Sequence, residues 1–437
     1  MSCGNDSTAS NPYLYPLRKA ADEDFDVCDE LKPDVNVCLP EVRESLRNVR
    51  ELVIKKYLDQ DLLAVLLDLM PNVTALEMES SGELASAFPS LLEAGNVFST
   101  LRLSDISFSD EELIQLLKSC SGSLQELRLD YSCRDLSEHS YSAISQCTKL
   151  RCLSFAQLCY NLGDSQLEKI IQSSPDLESL NLGHSRLTEA GLVLLTNLKK
   201  LKHLEFHARE DFRFDALSVL GNIASLRSLF LAYIEIDIGW VKNIASLNNL
   251  RELTLLSHTS AVTPECFNII CENFPCLELL WLRDCELLTD EEGKKLRLFT
   301  KLRILKLEYS WGFTDVTFEN WLPSKYLECL QIVLRGVTDA GLAALAAHHH
   351  TLKVLDLTCG PGITDAAMVN LLRRLTRLTK LTLTSCESLT GRFLIELIDL
   401  CPRLEELDVT YIPASESTEL EIFRRQRPVV RVWVAED

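Results

Sequence analysis

Several kinds of sequence feature are missing from this chain of 437 residues. Its 16 cysteines contain no C-x-x-C pair and no spaced Cys and His set suited to zinc. No apolar run approaches the roughly 20 residues of a membrane span, and the first residues lack the basic and then apolar order of a secretion signal. These absences argue against a zinc module, a membrane partner and a secreted protein. Because free cysteines suit a reducing compartment, we expect a cytoplasmic or a nuclear protein.

Basic charge and catalytic motifs are also scarce. The chain has 44 Lys and Arg against 64 Asp and Glu, and its net charge of −20 disfavours nucleic acid as a partner. It has no Gly-rich phosphate loop, no G-x-S-x-G elbow and no H-E-x-x-H motif. Gly360-Pro361-Gly362 fits a turn better than a ligand loop, and His348-His349-His350 fits an exposed turn better than a metal site. We therefore expect neither an enzyme nor a bound metal or cofactor.

What the chain has in abundance is leucine at a regular spacing. The pattern L-x-x-L-x-L, with another apolar residue at some positions, returns every 24 to 27 residues. A period in the twenties with this pattern is typical of the leucine-rich repeat, whose units stack into one continuous core. We predict an α/β leucine-rich-repeat solenoid, a horseshoe with a concave parallel sheet and convex helices. The clearest units begin at Leu124, Leu150, Leu177, Leu201, Leu226, Leu250, Leu277, Leu302, Leu327, Leu352, Leu378 and Leu404.

The repeats divide the chain into two segments. Residues 1–45 are acidic and poor in apolar residues, which predicts a disordered or loosely packed N-terminal segment. Residues 46–437 form the predicted solenoid of about 15 repeats. A Thr followed by Asp or Glu marks the helix starts, since threonine caps the first turn and the carboxylate complements the helix dipole. These starts are Thr188, Thr289, Thr314, Thr338 and Thr364.

Two units contain a more specific motif. The unit over residues 277–290 has Cys285 shortly before Thr-Asp, and the unit from Leu378 has Cys386 and ends near Cys401-Pro402. They resemble the cysteine-containing (AMN-type) repeats of the F-box/leucine-rich-repeat proteins and of their relatives without an F-box. The resemblance covers about 290 residues, from roughly 120 to 410.

Family members with an F-box are substrate receptors of SCF-type ubiquitin ligases, in which the F-box holds a Skp-type adaptor and, through it, a cullin. Leu39-Pro40-Glu41-Val42 resembles the opening of that motif, and residues 57–62 resemble its middle, although the usual Trp is absent. The same residues fit a degenerate capping repeat. Both interpretations of residues 36–70 therefore stand.

The middle repeats place large side chains on the predicted concave face. In L-x-x-L-x-L the leucines point to the core, so alternation sends the third, fifth and seventh residues outward. Exposed aromatic and aliphatic residues surrounded by charges are typical of interaction hot spots. Alternatively, a loop, the N-terminal segment or a partner repeat covers them, or one large residue per strand has no functional meaning. The candidate partner-binding residues are Phe230, Tyr233, Leu256, Trp281, Arg283, Lys306, Tyr309, Trp311, His203 and His207.

These observations leave open which binding function the chain has. The first hypothesis is a protein–protein recognition module that recruits substrates to an SCF-type ubiquitin ligase. The second is a scaffold or enzyme inhibitor unrelated to ubiquitin, like the acidic and cysteine-rich ribonuclease inhibitor. A third is a platform within an enzyme or an assembly. Basic residues on the predicted concave face are isolated from one another and do not form a basic groove. No inositol phosphate cofactor is therefore expected.

Overall fold

The computed structural model describes the chain from residue 46 to 434 with several gaps. The described ranges are 46–54, 60–82, 91–92, 97–106, 108–130, 136–156, 159–209, 212–257, 260–321, 325–348 and 350–434. The acidic segment predicted over residues 1–45 lies outside these ranges, as does most of the stretch that resembles an F-box. Residues Met1–Phe206 and His207–Asp437 form two compact units.

In each unit, every repeat contributes one short strand that pairs in parallel with the strand of the next repeat in the chain. The strands of the first unit are β1 Glu51–Ile54, β2 Ala75–Gly82, β3 Thr100–Ile106, β4 Glu126–Arg128, β5 Cys152–Ser154, β6 Ser179–Asn181 and β7 His203–His207, whose last residue begins the second unit. Those of the second unit are β8 Ser228–Ile234, β9 Glu252–Ser257, β10 Leu279–Leu282, β11 Ile304–Leu307, β12 Cys329–Leu334, β13 Val354–Cys359, β14 Lys380–Thr384, β15 Glu406–Asp408 and β16 Arg431–Trp433.

A short helix returns the chain from most strands to the next. The helices of the first unit are α1 Gln60–Leu69, α2 Asp110–Cys120, α3 Glu138–Ile144, α4 Asp164–Ser173 and α5 Glu189–Leu195. Those of the second are α6 Ile238–Ile244, α7 Pro264–Asn273, α8 Asp290–Gly293, α9 Asp315–Asn320, α10 Asp339–His348, α11 Asp365–Leu372, α12 Arg392–Leu400 and α13 Thr418–Gln426, with 3₁₀ turns at Phe214–Asn222, Lys294–Leu298 and Pro413–Glu416. The predicted α/β leucine-rich-repeat fold with a parallel sheet is thus confirmed.

Alternation along each strand separates the core from an outward face. Leu253, Leu280 and Leu305 are fully buried between the sheet and the helices. The residues between them point the other way because successive strand side chains alternate. We call the outward side chains of β8 to β16, with those of the turns that directly follow these strands, the open sheet face of the second unit.

The helix starts carry a hydrogen-bond ladder that joins consecutive repeats. The Asp290 carboxylate at the start of α8 accepts from the Thr314 amide at 2.9 Å and from the Thr314 hydroxyl at 2.6 Å. The Thr317 hydroxyl also donates to it, at 2.5 Å. The same bond pair joins Asp164 to Thr188, Asp315 to Thr338, Asp339 to Thr364 and Asp365 to Thr390. Each of these helix starts is therefore fixed by its preceding repeat as well as by its own cap.

Glycine makes room for this ladder in two repeats. A Cβ on Gly341 would collide with a carboxylate oxygen of Asp315 and would stand 2.7 Å from Cγ1 of Val337. The Gly341 amide donates to the same Asp315 oxygen at 3.0 Å. Gly191 lies in the same position against Asp164. At both glycines the backbone therefore lies against a carboxylate of the preceding repeat.

Within the described residues, no helix is long and apolar enough to cross a membrane.

Candidate functional site

The sheet register brings side chains from four repeats into one row on the open sheet face. Phe230 of β8 aligns with Thr254 of β9, which aligns with Trp281 of β10. Trp281 in turn aligns with Lys306 of β11. Parallel strands lie about 4.8 Å apart, so residues spaced one repeat apart in sequence become neighbours.

At one end of this row, the expectation of exposed side chains is wrong. Phe230 is only 4% exposed, and His207 is equally buried. The His207 ring lies 5.6 Å from the Phe230 ring and 5.9 Å from the Tyr233 ring. Trp281 covers another side of Phe230 in an edge-to-face contact at 6.4 Å between ring centroids. Phe230 is buried because rings from other strands of the second unit surround it. Its contribution to the site is to pack against Trp281.

Trp281 stands at the centre of the row and is half-buried. Its indole N–H donates to Oε1 of Glu308 at 2.7 Å, which fixes the ring plane. The ammonium group of Lys306 lies 4.4 Å from the ring centroid, within the range of a cation–π contact. One face of the indole thus carries a cation, while its polar edge is held by a carboxylate.

The contacts continue into the turns that follow β10, β11 and β12. Arg283 Nε pairs with Oε2 of Glu308 at 3.1 Å, and its guanidinium lies 6.0 Å from the Tyr309 ring centroid. Tyr309 and Trp311 meet edge to face at 5.9 Å. The guanidinium of Arg335 then lies 5.3 Å from the Trp311 ring. We call Trp281, Arg283, Lys306, Tyr309, Trp311 and Arg335 the cation–aromatic patch.

Tyr309 of the patch and the nearby Tyr233 have an unusual backbone. Tyr233 and Tyr309 have φ angles of 56° and 59°, in the left-handed region that large side chains rarely adopt. Both rings stay exposed, at 46% and 41%. A residue held in this region costs about 1–3 kcal/mol. The same conformation recurs in other repeats, at Asp105, Asp284, Ser385 and Tyr411. The backbone here displays aromatic rings to solvent where an Asn or Gly would fit with less strain.

The other predicted site residues are distributed as follows. Leu256, the residue before the last of β9, is half-buried on the open sheet face. Trp311 is 43% exposed. His203 belongs to the first unit and is half-buried there. The structure therefore brings eight of the predicted residues into one region of the second unit, from His207, Phe230 and Tyr233 to Trp281, Arg283, Lys306, Tyr309 and Trp311.

Arg335 is a patch residue that the repeat pattern did not predict. It lies just beyond β12 rather than at an outward strand position, so strand alternation says nothing about it. The repeat register gave no signal for it, because Leu307 pairs with Ile332 and Arg335 is therefore level with Ser310 rather than with an aromatic residue.

The first unit has a charged network of its own that sequence reasoning also missed. The Arg102 guanidinium donates to Glu126 at 2.9 Å, Glu77 at 3.0 Å and Glu51 at 3.2 Å. Arg128 donates to the same Glu126 at 2.7 Å. Burial lowers the pKa of Arg102 but the carboxylates outweigh it, so that this pKa is raised above its ordinary range. These charges satisfy one another and leave little affinity for an outside ion.

Asp356 on β13 is a half-buried carboxyl of the open sheet face. It shares its row with Lys306, two strands away, and lies between Gln331 and Thr382. The described residues offer it no hydrogen-bond donor. Burial raises the pKa of Asp356 to about 6, and the attraction of Lys306 only partly opposes this. The fold thus keeps a carboxyl where its charge is unfavourable.

The cysteines in the described part of the chain do not form a reactive site. Nine of the eleven described thiols are buried. Burial raises the pKa of Cys120 to about 12 and that of Cys147 to about 11. Burial also raises the pKa of Cys285. Because the thiolate is the nucleophile and the metal ligand, these side chains act as small core residues.

No cluster of His, Cys, Asp or Glu among the described residues has the geometry of a metal site. His348 ends α10, and His349 lies outside the described ranges. That the chain uses no cofactor stays a prediction.

Comparison with known proteins adds information on the fold. No family model matches the chain. A chain in the crystal structure of the Rad7 and Elc1 complex in yeast is similar, with 18% identity and a TM-score of 0.56 over 90% of this chain and 92% of that one. The crystal structure of an internalin (InlF) from Listeria monocytogenes has 19% identity and a TM-score of 0.39, over 84% of this chain and 88% of that one. At such identities, the yeast structure supports the fold alone.

Proposed function

We propose that the chain is a protein–protein recognition module whose open sheet face in the second unit holds the partner. The observation that carries this proposal is the cation–aromatic patch. It exposes Tyr309 and Trp311 beside the half-buried Trp281, and the Glu308 carboxylate orients Trp281 and Arg283 together. Aromatic residues and Arg in a preorganised cluster are the side chains that dominate binding energy at protein interfaces.

A double variant of exposed residues tests this binding function. Tyr309→Asn keeps a residue that tolerates the left-handed backbone, and Trp311→Ala removes the neighbouring ring. Tyr326→Ala is the matched control, since Tyr326 is also exposed, at 48%, but precedes β12 instead of following a strand. Affinity purification of each full-length form from native cells, with quantitative mass spectrometry, compares their partners.

We expect the double variant to lose partners that the wild type and the control retain, at an unchanged melting temperature. Such a loss corresponds to at least about 2 kcal/mol of binding energy. Identical partners for all three forms would refute a binding role for this face.

Within this function, we propose that the chain recruits substrates to an SCF-type ubiquitin ligase, or is a close relative without an F-box. The support is the cysteine-containing repeat around Cys285 and Cys386 and the resemblance of Leu39 to Val42 to the opening of an F-box. A chain of similar fold occurs in the yeast complex of Rad7 and Elc1. A Skp-type adaptor and a cullin would be the further partners, in the cytoplasm or the nucleus.

The adaptor proposal has a separate test that leaves the described strands intact. Full-length protein and a Leu39→Asp, Pro40→Ala variant are purified from native cells and probed for a Skp-type adaptor and a cullin. Both should accompany the wild type and be lost from the variant, while partners of the open sheet face remain. If neither form retains them, the scaffold or inhibitor hypothesis replaces the ligase hypothesis.

A further inference from the structure

The cation–aromatic patch contains basic groups that are not paired with acids, in a chain where acids are in excess. The chain has 64 acidic and 44 basic residues. Lys306 and Arg335 nevertheless form no ion pair with any described residue, and each lies against an indole ring instead. By contrast, Arg283 in the same patch pairs with Glu308.

Glu308 does not cancel this charge. One of its oxygens accepts from Trp281 at 2.7 Å, and the other pairs with Arg283 at 3.1 Å. Both oxygens are therefore engaged in orienting the patch. Asp356 is the nearest further acid in the row of Lys306, two strands away, and no ion pair joins the two.

A cation that lies on an aromatic face keeps its N–H groups available. The ring attracts the charge without accepting strong hydrogen bonds, so the ammonium of Lys306 and the guanidinium of Arg335 can still donate to an incoming oxygen. Arg335 is exposed and Lys306 is half-buried, so an anion can reach both. The two indoles also hold the basic side chains in place and lower the entropy lost when they bind.

We propose that the patch binds an acidic segment of a partner protein, with carboxylates on Lys306 and Arg335 and side chains against Tyr309 and Trp311. The inference rests on the proposed recognition function and specifies its partner chemistry. Unpaired basic groups select for acids, and the exposed rings supply the apolar contact that separates a polypeptide from a simple anion. It does not depend on any ubiquitin ligase.

The test uses full-length protein and a fluorescein-labelled peptide of alternating Glu and Tyr, followed by fluorescence anisotropy at low salt. Peptides with Gln or Lys in place of Glu test the charge, and inositol hexakisphosphate tests a simple anion. The main variant is Lys306→Glu with Arg335→Glu. The matched control is Arg374→Glu with Arg377→Glu, which changes the charge equally at exposed residues in the turns after α11.

We expect the Glu–Tyr peptide to bind and the Gln and Lys peptides to bind much more weakly. The main variant should weaken binding by at least about tenfold and the control by less than about twofold. Added salt should weaken binding as well, because exposed charges are screened. The single variant Arg335→Gln changes an exposed side chain and should weaken binding about threefold. It still tests the proposal if the double variant does not fold.

Any of four results would overturn the proposal. Equal affinity for the Glu, Gln and Lys peptides, or equal loss in the control variant, would show that Lys306 and Arg335 do not select the ligand. Inositol hexakisphosphate that binds at the patch more tightly than the peptide would make it a small-anion site. A labelled peptide of residues 20–36 that binds best of all would make the chain's own acidic segment the occupant, which also replaces the proposal.

The outcomes remain separable from those of the proposed function. Partners that survive Lys306→Glu with Arg335→Glu but are lost with Tyr309→Asn and Trp311→Ala would keep the recognition function and reject the acidic partner.

Discussion

Replacement of Asp290 by alanine should destabilise the second unit far more than its surface position suggests. Asp290 accepts hydrogen bonds from the Thr314 amide, the Thr314 hydroxyl and the Thr317 hydroxyl, at 2.9, 2.6 and 2.5 Å. Each net hydrogen bond contributes about 1 kcal/mol. Since Thr317 is fully buried, its hydroxyl would lose its partner without free access to water. We expect a loss of about 2–4 kcal/mol in the free energy of unfolding.

Urea unfolding at pH 7, followed by circular dichroism, measures this loss. Glu291→Ala is the matched control one residue away. Glu291 is largely exposed and pairs with Lys294 at 2.6 Å within its own helix turn, so its removal should change stability by less than about 0.5 kcal/mol. Only Asp290 reaches the next repeat.

The pH dependence tests the same hydrogen bonds independently. Burial acts to raise the pKa of Asp290, but the hydrogen bonds from Thr314 and Thr317 outweigh it and hold this pKa below its ordinary value. The stability contributed by the carboxylate is therefore present above the unfolded pKa of about 3.9 and is lost as the pH falls through the folded value. The gap between wild type and Asp290→Ala should narrow below about pH 4. A cost under about 1 kcal/mol, or a gap that is constant from pH 7 to pH 3, would refute the reasoning.

Three further predictions concern single residues. Gly341→Ala should destabilise the protein by about 1–3 kcal/mol in the same assay, because its Cβ would displace the Asp315 carboxylate, whereas Gly122→Ala, with open space around the new Cβ, should be nearly neutral. Asp356→Asn should stabilise the protein by about 1–2 kcal/mol at pH 7, after discounting for partial exposure. Because burial raises the folded pKa of Asp356 to about 6, thermal scans should show that advantage vanishing between pH 6 and pH 4; equal melting temperatures at pH 7 would contradict it. Trp281→Ala should lower the stability by about 1–3 kcal/mol, since the half-buried ring packs on Phe230 and bonds Glu308; an unchanged urea midpoint would show that the ring is not part of the packing.

Most strands and five of the helix starts followed from the sequence because both recur with the repeat. The expected starts at Thr289 and Thr364 are the observed caps of α8 and α11. Alternation within L-x-x-L-x-L placed Trp281 and Lys306 on the outward face, where the structure has them. These features depend on local periodicity, which one sequence displays completely.

Contacts between repeats were harder to predict. Phe230 is outward by alternation, yet rings from other strands of its unit bury it. Alternation gives the direction of a side chain but not the space that neighbouring side chains occupy around it. The acidic residue at each helix start was assigned to the helix dipole, whereas Asp290 mainly binds Thr314 of the next repeat. A signal for this existed, since Thr-Asp recurs at 289, 314, 338 and 364 at the repeat spacing. The network of Arg102 with Glu51 needs the exact strand register, because 51 positions separate the two residues.

The Asp-to-Thr ladder limits how the repeats of this chain can be exchanged or duplicated. A threonine at a helix start needs an Asp as the first helical residue of the preceding repeat. Helix α12 begins with Arg392 instead. The ladder accordingly stops at Thr390, and the following helix α13 is capped by its own Ser417. A copy of the unit from Thr338 inserted after α12 would place its threonine amide beside an arginine. Modular as the repeats look, each one accepts only particular neighbours.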